Sequence, residues 1–168
     1  DDLPYAVYKN GSLASGSAIR QYDVTTFDAA SNVMYVSDVK ITGIYENVYP
    51  NTDTPAKIWV MGKDLDVLPC AVEDLRNFKI GDTLTLLLTS DGKVAGAVTT
   101  AAAKSNAVGY VENIDEEGKA TVQLLDSVLG KVEGQTSYRG DSAANLMGEL
   151  VTVSSYKLGQ ISLTRLTG

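Results

Sequence analysis

The feature that most constrains this chain is that it repeats itself. Gly148-Glu149-Leu150-Val151-Thr152-Val153 follows Gly81-Asp82-Thr83-Leu84-Thr85-Leu86 at a spacing of 67 residues, and Gly159-Gln160-Ile161 follows Gly92-Lys93-Val94 at the same spacing. Gly109-Tyr110-Val111-Glu112-Asn113 follows Gly43-Ile44-Tyr45-Glu46-Asn47 at 66. A spacing held to within one residue marks an internal duplication, so each copy must fold within that length. A shorter match at 65 sets Leu3-Pro4-Tyr5-Ala6-Val7 against Leu68-Pro69-Cys70-Ala71-Val72 and Gly16 against Gly81. It reads as an incomplete copy with a longer hairpin.

Each copy reads as short strands. Leu84, Leu86 and Leu88 alternate with Thr85 and Leu87, the period of a strand with one buried face. Asp91-Gly92 signals a type I′ turn, in which both central residues take positive φ, and Val94, Gly96 and Val98 return the chain. Strands are expected at 19–27, 33–36, 57–61, 64–67, 121–125 and 128–132. A two-turn helix is expected at 71–78, with 142–147 in its place in the second copy. Five or six short strands with frequent turns point to an all-β fold. The fold class expected is tandem small β-barrels, SH3-like or OB-like, each with a short helical turn, because closure removes exposed edges. The divisions are a partial repeat at 1–40, whose strands could pack on the next unit, a first unit at 41–102 and a second at 103–168.

Composition narrows the function. A net charge of −7 argues against nucleic acid, whose phosphates need a basic partner. The chain has no histidine, which excludes Ser-His-Asp and Cys-His catalysis and histidine-based zinc sites within it. Cys70 is the sole cysteine, reads as a packed apolar position and allows no internal disulfide. No apolar run reaches the ~18 residues of a membrane span. The first residue is Asp1, with no apolar signal region, which reads as an excised or processed piece.

Three segments carry a resemblance: 3–24 (LPYAVYKNGSLASGSAIRQYDV), 40–55 (KITGIYENVYPNTDTP) and 78–98 (FKIGDTLTLLLTSDGKVAGAV). Together they resemble the region that accompanies S-layer homology domains in cell-surface proteins of Gram-positive bacteria, especially clostridia. The match covers about the first hundred residues; the second unit lacks the LPxAV element and joins only through its likeness to the first. The resemblance implies a secreted protein at the cell surface or cell wall, with a non-catalytic structural or spacing role. The alternative is an adhesion module for cell-wall polysaccharide or other surface-protein domains, for which 9 tyrosines and one tryptophan supply rings. The resemblance carries over no catalytic, cofactor or metal residue.

The residues offer few other sites. Asp23, Asp28, Glu46 and Glu112 are the carboxylates to weigh as a glycosidase pair, but Glu46 and Glu112 occupy equivalent positions in different units. Asn51 and Asp53, or Asp115, Glu116 and Glu117, could face calcium, yet neither group has the EF-hand pattern. Solvated or turn carboxylates are the plainer reading, and the chain is expected to be no enzyme. In 57–61, Ile58 and Val60 share one face, and Trp59 and Met61 the other. Aligned with 122–125, Trp59 falls on Gln123, a residue rare in cores, so Trp59 and Met61 are the expected contact surface between units or with a partner.

Overall fold

The structure, a computed structural model, describes residues 5–166. Leu3 and Pro4 of the shorter match therefore lie outside the described residues. Strands make up 49% and helices 10%, which places the chain in the all-β class. Three sheets follow one another along the chain.

The first sheet holds β1 (Ala6–Lys9), β2 (Ser12–Ala14), β3 (Val24–Asp28) and β4 (Val33–Ser37), in the order β2-β1-β4-β3. Asn10 and Gly11 both take positive φ (51° and 86°) between the paired Lys9 and Ser12. That is the type I′ hairpin that Asn-Gly encodes, at a place read from sequence only as a loop. The strand expected from residue 19 begins at Val24, because Tyr22 sits at φ 67° and breaks the extended run. Val7 and Val36 are buried in this sheet outside the main core, and Lys9 pairs with Asp23 at 2.8 Å. Ala6 and Val7 are in a strand, whereas Ala71 ends a 3-10 turn and Val72 starts a helix. Ala6-Val7 and Ala71-Val72 thus have different backbones, and the match does not mark equivalent positions there.

The second sheet holds β5 (Lys40–Tyr49), β6 (Lys57–Val60), β7 (Lys63–Asp66), β8 (Thr83–Leu88) and β9 (Val94–Val98), in the order β7-β6-β5-β8-β9. A parallel bridge between Val67 and Val94 brings its two outer strands together. Between β7 and β8 lies α1 (Val72–Leu75), shorter than the expected 71–78. Tertiary contact holds it: Leu75 is fully buried and Asp74 Oδ2 accepts the Ala97 N–H at 3.1 Å.

The third sheet is a closed five-stranded barrel of β10 (Ala107–Ile114), β11 (Lys119–Leu124), β12 (Lys131–Gln135), β13 (Leu150–Lys157) and β14 (Gln160–Arg165). Its order is β10-β11-β12-β14-β13, closed by a parallel contact of Gln135 with Gln160. Helix α2 (Gly140–Leu146) lies between β12 and β13 and buries Ala143 and Leu146. The strand expected at 128–132 starts at Lys131, because the Asp126 carboxylate accepts the N–H groups of Val128 (2.6 Å) and Leu129 (3.1 Å) in a turn.

The glycines of the repeat hold matching joints. Gly81 donates its N–H to the Tyr45 carbonyl, and Tyr45 donates to the Asp82 carbonyl (2.9 and 2.8 Å). Gly148, Val111 and Glu149 make the same pair of bonds at 2.7 and 3.0 Å. Both glycines sit at positive φ, where a side chain would be strained. The ladder between the first two strands of each sheet slips at one place, leaving Glu46 and Glu112 as the bulged residues.

Two expectations for the central hairpin change. β8 is buried on both faces, since Thr85 is 0% and Leu87 9% exposed. The cover is the 100–105 link, held by a directed chain of hydrogen bonds. Ser105 N–H donates to Thr42 Oγ1 (2.8 Å), and Thr85 Oγ1 donates to the Ala103 carbonyl (2.7 Å). Thr42 must therefore be the donor in its 2.7 Å contact with Thr85. The turn at Asp91-Gly92 has positive φ only at Gly92. Its bonds, Gly92 N–H to Thr89 and Thr89 N–H to Lys93, are those of a type I turn followed by a glycine bulge.

One apolar core runs through the second and third sheets, from Ile41, Tyr45 and Ile58 to Val122, Val151 and Leu163.

Candidate functional site

Met61 and Gly62, at φ 48° and 71°, form the two-residue turn between Val60 and Lys63. The turn reverses the chain before Met61 can join the outer face with Trp59. Met61 is fully buried at the junction with the third sheet, so it does not share the half-exposed face of Trp59. Its carbonyl accepts the Glu133 N–H of the third sheet at 2.8 Å. Across the same junction Ser155 Oγ accepts the Ile44 N–H at 3.0 Å. Gly43 makes that approach possible, because a Cβ there would lie 2.6 Å from Val60 and 2.9 Å from Ser155 Oγ. Glu46, the bulged residue, accepts the Gly62 N–H at 2.7 Å and steadies the turn.

Trp59 is half-buried on β6, with Asn47 and Asp64 as its cross-strand neighbours. Ile58 and Val60 are fully buried on the other face. The observed register replaces the sequence alignment of this strand. Asn47 pairs with Trp59 and Asn113 with Thr121, so Trp59 corresponds to Thr121, two residues before Gln123. A shift of two leaves the side-chain faces unchanged.

The carboxylates weighed for catalysis lie in separate places. Glu46 holds the turn just described, and Glu112 pairs with Lys131 at 2.7 Å on the third sheet. Asp23 faces Lys9. Burial raises its pKa, but the Lys9 hydrogen bond, the Arg20 N–H and the Lys9 and Lys40 charges outweigh this and hold it below the usual value. Asp28 ends β3 and is lowered by hydrogen bonds from Ser31 and Ala30.

The suspected calcium groups are turn builders. Asn51 Oδ1 accepts the N–H groups of Asp53 (3.0 Å) and Thr54 (2.8 Å), and Asp115 Oδ1 those of Glu117 (3.0 Å) and Lys119 (2.9 Å). Among the described residues no three histidine, cysteine, aspartate or glutamate side chains gather as a metal site would need. Cys70, expected to be packed, is exposed, with its thiol 3.4 Å from the Ala95 carbonyl.

Sequence reading missed one cleft. It opens beside the β12–β14 seam and is lined by Gln135, Tyr138, Tyr156, Gln160 and Ser162. Tyr156 is 63% exposed, with Lys157 Nζ 5.3 Å above its ring. Tyr138 spends its hydroxyl on the Leu163 carbonyl at 3.2 Å. An open ring flanked by amide and hydroxyl groups can stack and hydrogen-bond a sugar-like ligand. No signal in the sequence pairs 135–138 with 156–162, because only the parallel closure of the barrel joins them.

Among the described residues no helix is long and apolar enough to cross a membrane. No family model, no curated protein and no solved structure matches the chain.

Proposed function

We propose that this chain is a non-catalytic structural and spacing module of an S-layer or cell-wall-associated surface protein, built from two copies of one small SH3-like or OB-like barrel behind a partial copy. The copies are residues 41–102 and 103–168. Their equivalence is supported by the matching joints at Gly81 and Gly148, the matching bulges at Glu46 and Glu112, and the shared strand order. The surface location rests on the resemblance of the first hundred residues.

The observation that carries the spacing role is the core that continues from one barrel into the other, stitched by the Met61–Glu133 and Ile44–Ser155 hydrogen bonds. The carboxylates Asp23, Asp28, Glu46 and Glu112 are each held in a separate local turn or pair. The test is co-sedimentation of the purified protein with Gram-positive wall material, with released sugars assayed in the supernatant. Neither retention nor release is expected.

A second reading, an adhesion module for wall glycan, is favoured by the Tyr156 cleft. Saturable retention that is lost in both Tyr156→Ala and Gln160→Ala would transfer the function to that cleft.

A further inference from the structure

A cleft of about 350 Å³ opens where the second sheet meets the third. Its walls come from both sheets and from the link between them: Thr83 of β8, Thr100, Lys104 and Asn106 of the connection, and Ser154 and Ser155 of β13. The volume falls in the range of small-ligand sites, which favour such boundaries between packed units.

Its charge differs from that of the chain as a whole. The net charge is −7, and other clefts hold Asp38 with Asp126, or Asp64 with Asp66 and Asp91. This cleft has no carboxylate in its lining, and Lys104 is its one charged side chain. Among the described residues the Lys104 side chain makes no ion pair or hydrogen bond. The backbone on either side of it is fixed. The Ala103 carbonyl accepts from Thr85 Oγ1, and the Ser105 N–H donates to Thr42 Oγ1. A docked segment thus holds the cation at the cleft, and a ligand has only the lysine's own rotamers to order.

Hydroxyl groups complete the lining. Ser155 Oγ accepts the Ile44 N–H, which leaves its own proton to donate. Thr83, Thr100 and Ser154 use their hydroxyls in no hydrogen bond among the described residues. The fold does not require hydroxyls at these places. Gly43 pairs with Leu84 and Gly109 with Val151, so the matching registers set Thr83 against Leu150, Ser154 against Leu87 and Ser155 against Leu88. At each of the three positions the other sheet carries leucine, and the hydroxyl stands where the residue lines the cleft.

We propose that this cleft binds a small hydroxylated anion, a sugar or polyol bearing a phosphate or carboxylate. Lys104 pairs with the anionic group, while Thr83, Ser154 and Ser155 hydrogen-bond to it and to the hydroxyls beside it. Such a ligand touches both sheets and clamps the junction that the Met61–Glu133 and Ile44–Ser155 bonds already tie.

The experiment is an amide NMR titration of the whole chain at constant ionic strength with glycerol phosphate, glucuronate, neutral glycerol and inorganic phosphate. Saturable shifts at 83, 104–106 and 154–155 are expected with glycerol phosphate, glucuronate or both, which tells the two anionic groups apart. Glycerol should not saturate, and inorganic phosphate should bind at least about threefold more weakly. Lys104→Gln should weaken binding at least about tenfold and Ser154→Ala about threefold. Neither side chain is bonded within the fold, so each variant should keep the parent's ligand-free Tm. Ligand should raise the Tm of the parent and not that of Lys104→Gln. Four results overturn the proposal: no saturation by either hydroxylated anion at tens of millimolar, equal binding by Lys104→Gln, saturation by glycerol, or inorganic phosphate binding as tightly as the hydroxylated anions. Tyr156→Ala and Gln160→Ala should leave the titration unchanged, so this site and the Tyr156 cleft fail separately.

Discussion

Tyr45 carries the clearest energetic prediction. Its side chain is 0% exposed inside the shared core, and its hydroxyl has no hydrogen-bond partner. An orphaned buried hydroxyl costs about 1–3 kcal/mol in lost hydration. Tyr45→Phe removes that cost and leaves a void the size of one oxygen, a penalty of a fraction of a kcal/mol. The net expectation is a gain of about 1–2 kcal/mol, or roughly 3–6 °C in Tm for a chain of this size. Val111, the equivalent residue, shows that the barrel needs no hydroxyl there. The pH dependence adds an independent check. Burial raises the Tyr45 pKa above its ordinary 10.0. Stability is therefore fully present below the unfolded-state pKa and falls as pH rises through the higher folded-state value. Tyr45→Phe should flatten that alkaline loss. Urea titrations of both proteins at neutral pH and above pH 10 read both effects. A loss of about 1 kcal/mol or more in Tyr45→Phe at neutral pH would refute the reasoning, because the hydroxyl must then be satisfied.

Three further outcomes are expected. Gly43→Ala forces a Cβ against Val60 and Ser155 and should cost about 1–3 kcal/mol, splitting one calorimetric transition into two as the second and third sheets separate. Thr85→Val keeps shape but strands the Ala103 carbonyl and the Thr42 hydroxyl, costing on the order of 2 kcal/mol and speeding hydrogen exchange at Ser105. Lys9→Met leaves the Asp23 carboxylate largely buried without its cation. Because the Asp23 pKa is lowered in the fold, its contribution is present above the ordinary carboxyl range and lost as pH falls through the folded value. The variant should thus weaken the first sheet at neutral pH and narrow its difference from the parent in acid, read by exchange at Val7 and Val36.

The all-β class and the matching glycine joints were legible because glycines at strained joints and alternating apolar residues leave strong marks in sequence. Gly81 and Gly148 announced themselves by spacing alone. Other features depended on partners distant in the chain. Nothing local reveals that Thr85 faces a covering link, so its strand was read as half-exposed. Met61 was assigned a face by alternation, but the following glycine turned the chain one residue early. The match failed at Ala6-Val7 and Ala71-Val72 because so short a run adopts whichever backbone its neighbours impose, a strand beside β4 in one case and a helical turn over β9 in the other. The Tyr156 cleft was invisible because its walls meet only when the third and fifth strands close.

The docked link and the shared core have a mechanical consequence. Two sheets joined by a free tether would swing, and the distance between their far ends would fluctuate with tether length. Here the 100–105 connection is fastened to the face of the second sheet by the Ser105–Thr42–Thr85–Ala103 chain, while apolar side chains fill the joint. Bending the joint must open that interior to water and break hydrogen bonds together, so the elastic response is stiff for small loads and yields abruptly. Under load the junction should therefore keep its length against thermal agitation and fail by discrete rupture instead of gradual stretching.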